Sequence, residues 1–212
     1  MKRKKWWIVV IVLLLVVLLG VGGYRVYRFP DTFRSLSDKS LDEKEVSKLV
    51  EQLRGKEDKK VLVAYFSYSG TTKGVAEVLG EKTGADLFEI KTQKEYSNVY
   101  TESNKEIRKN ERPELADRVE QMESYDIIFV GYPVWWHATP TPVNTFLESY
   151  DLKGKLIIPF CTSGESDIDE TMPTFLNSCE GLAVHEGKRI QGTGEVETWL
   201  EELDLGIVAD EE

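Results

Sequence analysis

Cysteine, histidine and positive charge are scarce in this 212-residue chain. It holds two cysteines and two histidines, and they do not cluster with carboxylates at metal-ligand spacing, so the sequence indicates no metal centre. No GxGxxG precedes a helical pattern, so the usual signature of a dinucleotide-binding turn is missing as well. Beyond residue 28, 21 basic residues face 37 acidic ones, and this net charge of −16 disfavours nucleic acid as a partner.

The amino-terminal segment has the opposite character. Residues 1–28 contain six basic residues and no acidic one, and Trp6 to Tyr24 is a run of 19 residues without a charge. As a helix this run would be about 28 Å long, close to the ~30 Å hydrocarbon thickness of a bilayer. We predict a signal-anchor transmembrane segment over residues 1–28, with a cleaved secretory signal as the alternative. The basic cluster before the span favours a single-pass protein of the cell membrane with an extracytoplasmic domain.

The remaining chain divides into three predicted parts. Residues 29–58 are interpreted as a linker and an amphipathic helix, which Ser40 and Glu43 would open as a capping box. The apolar side chains of that helix recur at helical spacing and are Val46, Leu49, Val50 and Leu53. Residues 59–206 form the predicted domain, and residues 207–212 an acidic tail.

The stretch from Val61 to Leu79 begins the predicted domain. A short apolar run from Val61 to Phe66 predicts a strand that is buried on both faces, as in parallel sheets. A loop rich in hydroxyl groups follows, and apolar residues then return at helical spacing. Because the first N–H groups of a helix are unpaired and its dipole favours an anion, this junction predicts a phosphate site. The alternative is an ordinary helix start capped by Ser and Thr.

Two further strand-to-loop junctions follow. The run from Ile127 to Gly131 leads into a loop with paired tryptophans between Pro133 and Pro140, and Leu156 to Phe160 leads into a loop from Cys161 to Ser166. Two weaker strands are predicted at 86–90 and at 182–190. Helices are predicted at 113–122, from the end of the Cys161 to Ser166 loop to about residue 177, and at 195–203. Alternating strands and helices predict a parallel sheet. Ligands bind beyond the carboxyl ends of such strands, where the three loops would converge. The tryptophans suit a flat aromatic ligand, although either one alone could be a core residue.

These motifs resemble the flavodoxin family, in particular the branch with PVWW and TSG loops, over about residues 60–205. The positions that match the first-loop signature are Val63, Tyr65, Ser67, Gly70, Thr72, Ala76 and Leu79. Ala64 departs from it, because a larger apolar residue is usual there. The segments Tyr125-Asp126, Gly131 to Trp136 and Phe160 to Gly164 match in order and spacing. The resemblance implies an α/β fold with a doubly wound, five-stranded parallel sheet of order 2-1-3-4-5, preceded here by the transmembrane helix.

The resemblance also implies FMN as the cofactor. The residues expected to hold the FMN phosphate are Ser67, Ser69, Gly70, Thr71 and Thr72. Those expected along the ring are Pro133, Val134, Trp135, Trp136 and His137, and those expected at its polar edge are Thr162, Ser163 and Gly164. His137 is the candidate catalytic residue, since an imidazole near the ring could pass a proton; the alternative is an exposed loop histidine.

Two functions follow from the resemblance. The first is membrane-tethered electron transfer between redox protein partners, and the second is an NAD(P)H-dependent FMN oxidoreductase of the quinone-reductase type. Fold alone does not separate them. Cys161 and Cys179 could pair in an extracytoplasmic domain, but we expect Cys161 to pack as a small apolar side chain.

Overall fold

The computed structural model describes residues 11–21 and 41–208. Residues 11–21 are helical, whereas the rest of the predicted span from Trp6 to Tyr24 lies outside the described residues, as do residues 22–40 and the end of the acidic tail. Within the two described ranges, no helix combines the length and the apolar character needed to cross a bilayer.

A parallel sheet forms the centre of the domain. Its strands are β1 (Val61–Tyr65), β2 (Asp86–Glu89), β3 (Ile127–Pro133), β4 (Leu156–Thr162), β5 (Ala183–Val184) and β6 (Lys188–Arg189). The order is β2-β1-β3-β4-β5, with β6 also pairing with β4, so the predicted order 2-1-3-4-5 is confirmed. The prediction of five strands needs one correction, because the fifth position is filled by two short pieces rather than one strand.

Pro159 explains this break. His185 donates its N–H to the carbonyl of Ile157, and Ile190 donates to that of Cys161, so the odd-numbered residues of β4 face the fifth position. Pro159 lies between these two contacts and has no N–H to donate. The neighbouring chain passes close to Pro159 at Gly187, whose φ is +73° and where an added Cβ would lie 2.3 Å from the Pro159 carbonyl oxygen.

Six helices accompany the sheet in the described range 41–208. They are α1 (Glu43–Arg54), α2 (Thr71–Thr83), α3 (Val99–Lys109), α4 (Thr141–Glu148), α5 (Met172–Leu176) and α6 (Val196–Leu203). Helices α1, α2 and α6 cover one face of the sheet. Helices α4 and α5 cover the other face, with α3 beside α4. Each face buries its own apolar cluster, which makes the sheet doubly wound as predicted.

The segment between β2 and β3 differs from its prediction. Residues 113–121 are not helical, and Thr92 instead forms an antiparallel bridge with Leu115. Leu115 and Val119 still pack on the core from this non-helical chain, and Met122 is buried at the start of a short 3-10 helix, Met122–Ser124. The helix of this region is α3, which begins at the Asn98 cap.

The start of α1 also differs from its prediction. The cap is Asp42, whose side chain accepts from the N–H of Glu45. Of the expected pair, Ser40 lies outside the described residues and Glu43 is the first residue of the helix. Leu53 is buried in the core, and Val46, Leu49 and Val50 pack against it. The helix therefore packs on the domain with the apolar face that the sequence predicts.

Candidate functional site

The loop after β1 presents unpaired backbone donors at the start of α2. Gly70 caps the helix with φ +91°, a left-handed conformation that glycine adopts without strain. Gly74 donates to the carbonyl of Gly70, and Lys73 donates its N–H to the hydroxyl of Ser67. In the described chain the N–H groups of Thr71 and Thr72 have no protein acceptor, as expected for the first turn of a helix. An anion is the natural acceptor for them.

The hydroxyl groups of this loop differ in exposure. Ser69 and Thr71 are exposed and lie 3.2 Å apart, within reach of a ligand. The Thr72 hydroxyl is buried and lies 2.8 Å from that of Thr162 at the end of β4. Thr72 can therefore offer its N–H to an anion, while its side chain joins two loops. Lys73 faces Glu77 along the helix surface and adds no charge to the loop.

The paired tryptophans lie in a tight turn after β3. Trp135 and Ala138 exchange both backbone hydrogen bonds, and Trp136 and His137 between them have φ of 53° and 60°. This is a type I′ turn, which normally contains Asn and Gly. Two bulky residues in left-handed conformations cost about 1–3 kcal/mol each, and such strain is concentrated at functional sites. The Trp136 indole N–H donates to the Ser103 hydroxyl of α3 at 3.0 Å, which holds the turn in place.

Trp135 is the centre of an aromatic cluster. Its ring is edge-on to Phe66 at 5.0 Å, to Tyr96 at 5.4 Å and to Tyr68 at 6.2 Å between ring centroids. Edge-to-face packing of this kind fixes the orientation of a ring as well as burying it. The loops after β1 and β3 therefore meet through aromatic side chains at the point where the strand order reverses.

His137 connects the same turn to the segment after β4. Its Nδ1 contacts the carboxylate of Glu170 and lies 3.4 Å from the Ser166 hydroxyl. The hydrogen bond from His137 is the main reason that the pKa of Glu170 is lowered.

The loop after β4 is held by backbone contacts. The N–H of Val134 donates to the carbonyl of Thr162 at 3.1 Å, and the Ser163 hydroxyl accepts from the N–H groups of Glu165 and Ser166. Gly164 has open space where a side chain would be. Glu165 is exposed. The structure thus brings all three predicted loops to one edge of the sheet.

The two cysteines, and two residues that the sequence analysis missed, complete the description of the site. Cys161 and Cys179 are buried and are not joined by a disulfide, and burial raises the pKa of the Cys161 thiol to about 12. Sequence reasoning missed Ser103 and Glu170, each 33 residues from its partner in the turn. A Glu three residues after Asp167 was a usable helix-start signal, but nothing in the sequence linked it to His137.

Two open cavities flank the aromatic cluster. One of about 350 Å³ is bordered by Tyr68, Trp135, Trp136 and the start of α3. The other, about 450 Å³, lies between Phe66, Tyr68 and the end of β2. Unpaired N–H groups with hydroxyls, beside strained aromatic loops, form a donor set that fits a ligand with a phosphate and a flat ring.

Comparisons with known proteins agree with this geometry. The family model described as Flavodoxin matches residues 60–203. Proteins described as flavoproteins from Bacteroides eggerthii and Bacteroides uniformis are 34% and 32% identical, with TM-scores of 0.64 and 0.63. They cover 69% and 68% of this chain and 98% and 99% of their own. A Lactobacillus acidophilus flavoprotein, solved in complex with FMN, is 27% identical with a TM-score of 0.56, over 68% of this chain and 99% of its own. Proteins of curated function gave no match.

Proposed function

Because this chain belongs to the flavodoxin family, we propose that it is a membrane-tethered flavoprotein that transfers electrons between redox partners. Its cofactor is FMN, which supplies one- and two-electron chemistry at its ring when bound. The observation that carries the proposal is the first turn of α2. There the N–H groups of Thr71 and Thr72, beside Gly70, have no acceptor among the described residues and can bind an anion.

The chain's own residues have distinct proposed tasks. The phosphate would be bound by N–H and hydroxyl groups of the β1 loop, and its members are Ser67, Ser69, Gly70, Thr71 and Thr72. The ring would lie against the turn after β3, and the residues there are Pro133, Val134, Trp135, Trp136 and His137. The polar edge would meet Thr162, Ser163 and Gly164. Aromatic walls exclude water, and His137 would exchange a proton at this edge.

A comparison of FMN with riboflavin tests the phosphate site, because riboflavin differs only in lacking the phosphate. Each hydrogen bond to a charged group contributes about 1.5–3 kcal/mol, so two or three should make FMN bind roughly a hundredfold tighter or more. Isothermal titration of the purified chain measures both ligands. Equal affinity for the two would contradict the phosphate assignment, and binding of neither would refute the proposed function.

The tether is proposed from the charge-free run at 6–24, whose residues 11–21 are helical. We expect the full chain to stay in the membrane pellet after alkaline carbonate extraction, with its domain open to external protease. Release by carbonate would contradict the tether.

The cavity of about 350 Å³ favours a second candidate, an NAD(P)H-dependent oxidoreductase. Four aromatic residues border it, namely Tyr68, Tyr100, Trp135 and Trp136, and its size suits a small planar acceptor. Anaerobic addition of NADH or NADPH to the FMN-loaded chain separates the candidates. Rapid loss of the visible flavin absorbance would establish the oxidoreductase, whereas an unchanged spectrum would favour the carrier.

A further inference from the structure

The contact between His137 and Glu170 links two segments that build the ring site. His137 is fixed by the strained turn, with φ 60°, and its Nδ1 meets the Glu170 carboxylate. The Ser166 hydroxyl lies farther from this nitrogen, at 3.4 Å. A carboxylate is the stronger acceptor, because a hydrogen bond to a charged group exceeds one to a neutral hydroxyl.

Glu170 is itself held from two sides. One carboxylate oxygen accepts from the Asp167 N–H at 3.2 Å, which completes a capping box on the short helix Ile168–Glu170. The next residue, Thr171, is fully buried and lies 3.1 Å from the Tyr132 hydroxyl. The Thr139 hydroxyl donates to the Thr171 carbonyl. The carboxylate is therefore attached to the core of the domain rather than to a free loop.

We infer that Glu170 is the positioning residue of His137. By accepting from Nδ1 it selects the tautomer that carries a proton on Nδ1, and it directs the opposite nitrogen, Nε2, to the polar edge of the ring ligand. A neutral imidazole held in this way accepts a hydrogen bond at Nε2. The contact to the ligand rests on the proposed function, whereas the tautomer depends on the protein alone.

The second histidine provides an internal reference for the tautomer. His185 accepts from the Gly187 N–H at Nδ1, which requires its proton on Nε2. Burial lowers the pKa of His185, so it is neutral in alkaline buffer. Long-range ¹⁵N–¹H correlation spectra of the flavin-free chain should therefore show two opposite imidazole patterns. Glu170→Ala should change the His137 pattern alone, and Glu170→Gln, which keeps an acceptor oxygen, should retain it.

Flavin titration then tests whether Glu170 acts through His137. Loss of one hydrogen bond predicts roughly threefold to tenfold weaker FMN binding for Glu170→Ala and for His137→Ala. The double variant should be no weaker than His137→Ala, because residues acting in series are not additive. Asp167→Ala removes the other half of the capping box without touching His137, and its FMN affinity should stay within about twofold.

Each outcome decides the inference. Opposite tautomers, a selective response to Glu170→Ala and non-additive affinities support it. Matching tautomers in the two histidines would overturn it, as would additive losses or an equal loss in Asp167→Ala, which would assign Glu170 to the helix cap. The spectra require no flavin. A chain that fails to bind FMN would therefore refute the proposed function, while the tautomer of His137 would still test whether Glu170 positions it.

Discussion

The buried hydroxyl pair of Thr72 and Thr162 gives the sharpest stability prediction. The two oxygens lie 2.8 Å apart, and their residues are 1% and 5% exposed, so neither hydroxyl has ready access to water. Valine matches threonine in shape but has no hydroxyl. Thr72→Val or Thr162→Val leaves the other hydroxyl buried without its partner, at a cost of about 1–3 kcal/mol in the free energy of unfolding.

The double variant should behave differently from the sum of the two. With both hydroxyls gone, no polar group remains unsatisfied, and replacing both partners by apolar groups is nearly neutral. We therefore expect Thr72→Val/Thr162→Val to be at least as stable as either single variant. The coupling energy from the double-mutant cycle should be about 1–3 kcal/mol.

Urea denaturation of the purified chain, followed by tryptophan fluorescence, measures all four proteins. Thr83→Val is the matched control, because the Thr83 hydroxyl bonds only the Leu79 carbonyl within its own helix, and it should change stability by about 0.5 kcal/mol or less. Additive losses at Thr72 and Thr162, or a Thr72→Val effect no larger than the control, would refute the role assigned to this pair.

Three further predictions concern the site loops and helix α3. Gly70→Ala should cost about 1–2 kcal/mol and weaken FMN binding because of the φ of +91°. Gly194→Ala, with equally open surroundings and no left-handed φ, is its control in denaturation and titration. Trp136→Phe should destabilise the chain by about 1–2 kcal/mol in urea, since the buried Ser103 loses its donor, and an unchanged midpoint would contradict that bond. The hydrogen bond from the Ser97 hydroxyl, then that from the Asn98 N–H, lowers the pKa of Glu102. The stability that ionised Glu102 contributes is therefore complete above its ordinary pKa of 4.5 and is lost as the pH falls through its lower pKa in the folded chain. In Glu102→Gln, the free energy of unfolding should accordingly fall less steeply as the pH is lowered through the acid range.

The central strands were predictable because their burial leaves a mark in sequence. In β1, Val63 faces one apolar cluster and Ala64 the other, so every position is apolar and the run stands out. The same reasoning located β3 and β4, although each strand continues two residues beyond its predicted end, to Pro133 and Thr162. Since loops at the carboxyl ends of parallel strands share one edge, the convergence of the site residues followed from the strand pattern alone.

Helix α3 escaped prediction because its inward face is partly polar. Ser103 and Asn104 are buried beside Ile107, so the apolar period that identifies a helix is interrupted. Leu115, Val119 and Met122 have the helical spacing, yet residues 113–121 are not helical and Met122 begins a short 3-10 helix. The apolar pattern indicated which side chains are buried, but it did not indicate the backbone conformation of the segment.

The turn after β3 could not be derived from local rules. Trp136 and His137 are poor residues for left-handed conformations, and their anchors Ser103 and Glu170 lie 33 residues away in opposite directions. Tertiary contacts compensate for the local strain, and a single sequence does not reveal such pairings.

The interruption of the sheet beside Pro159 has a consequence for encounters between molecules. An unpaired strand edge can template the addition of a strand from another chain, which begins aggregation. Here the outer edge consists of two-residue pieces, β5 and β6, separated by the bend at Gly187. A foreign strand would find no continuous row of donors and acceptors to extend. Pro159, which weakens the internal ladder, thus protects this edge of the sheet against the addition of a foreign strand, whereas β2 forms the opposite edge.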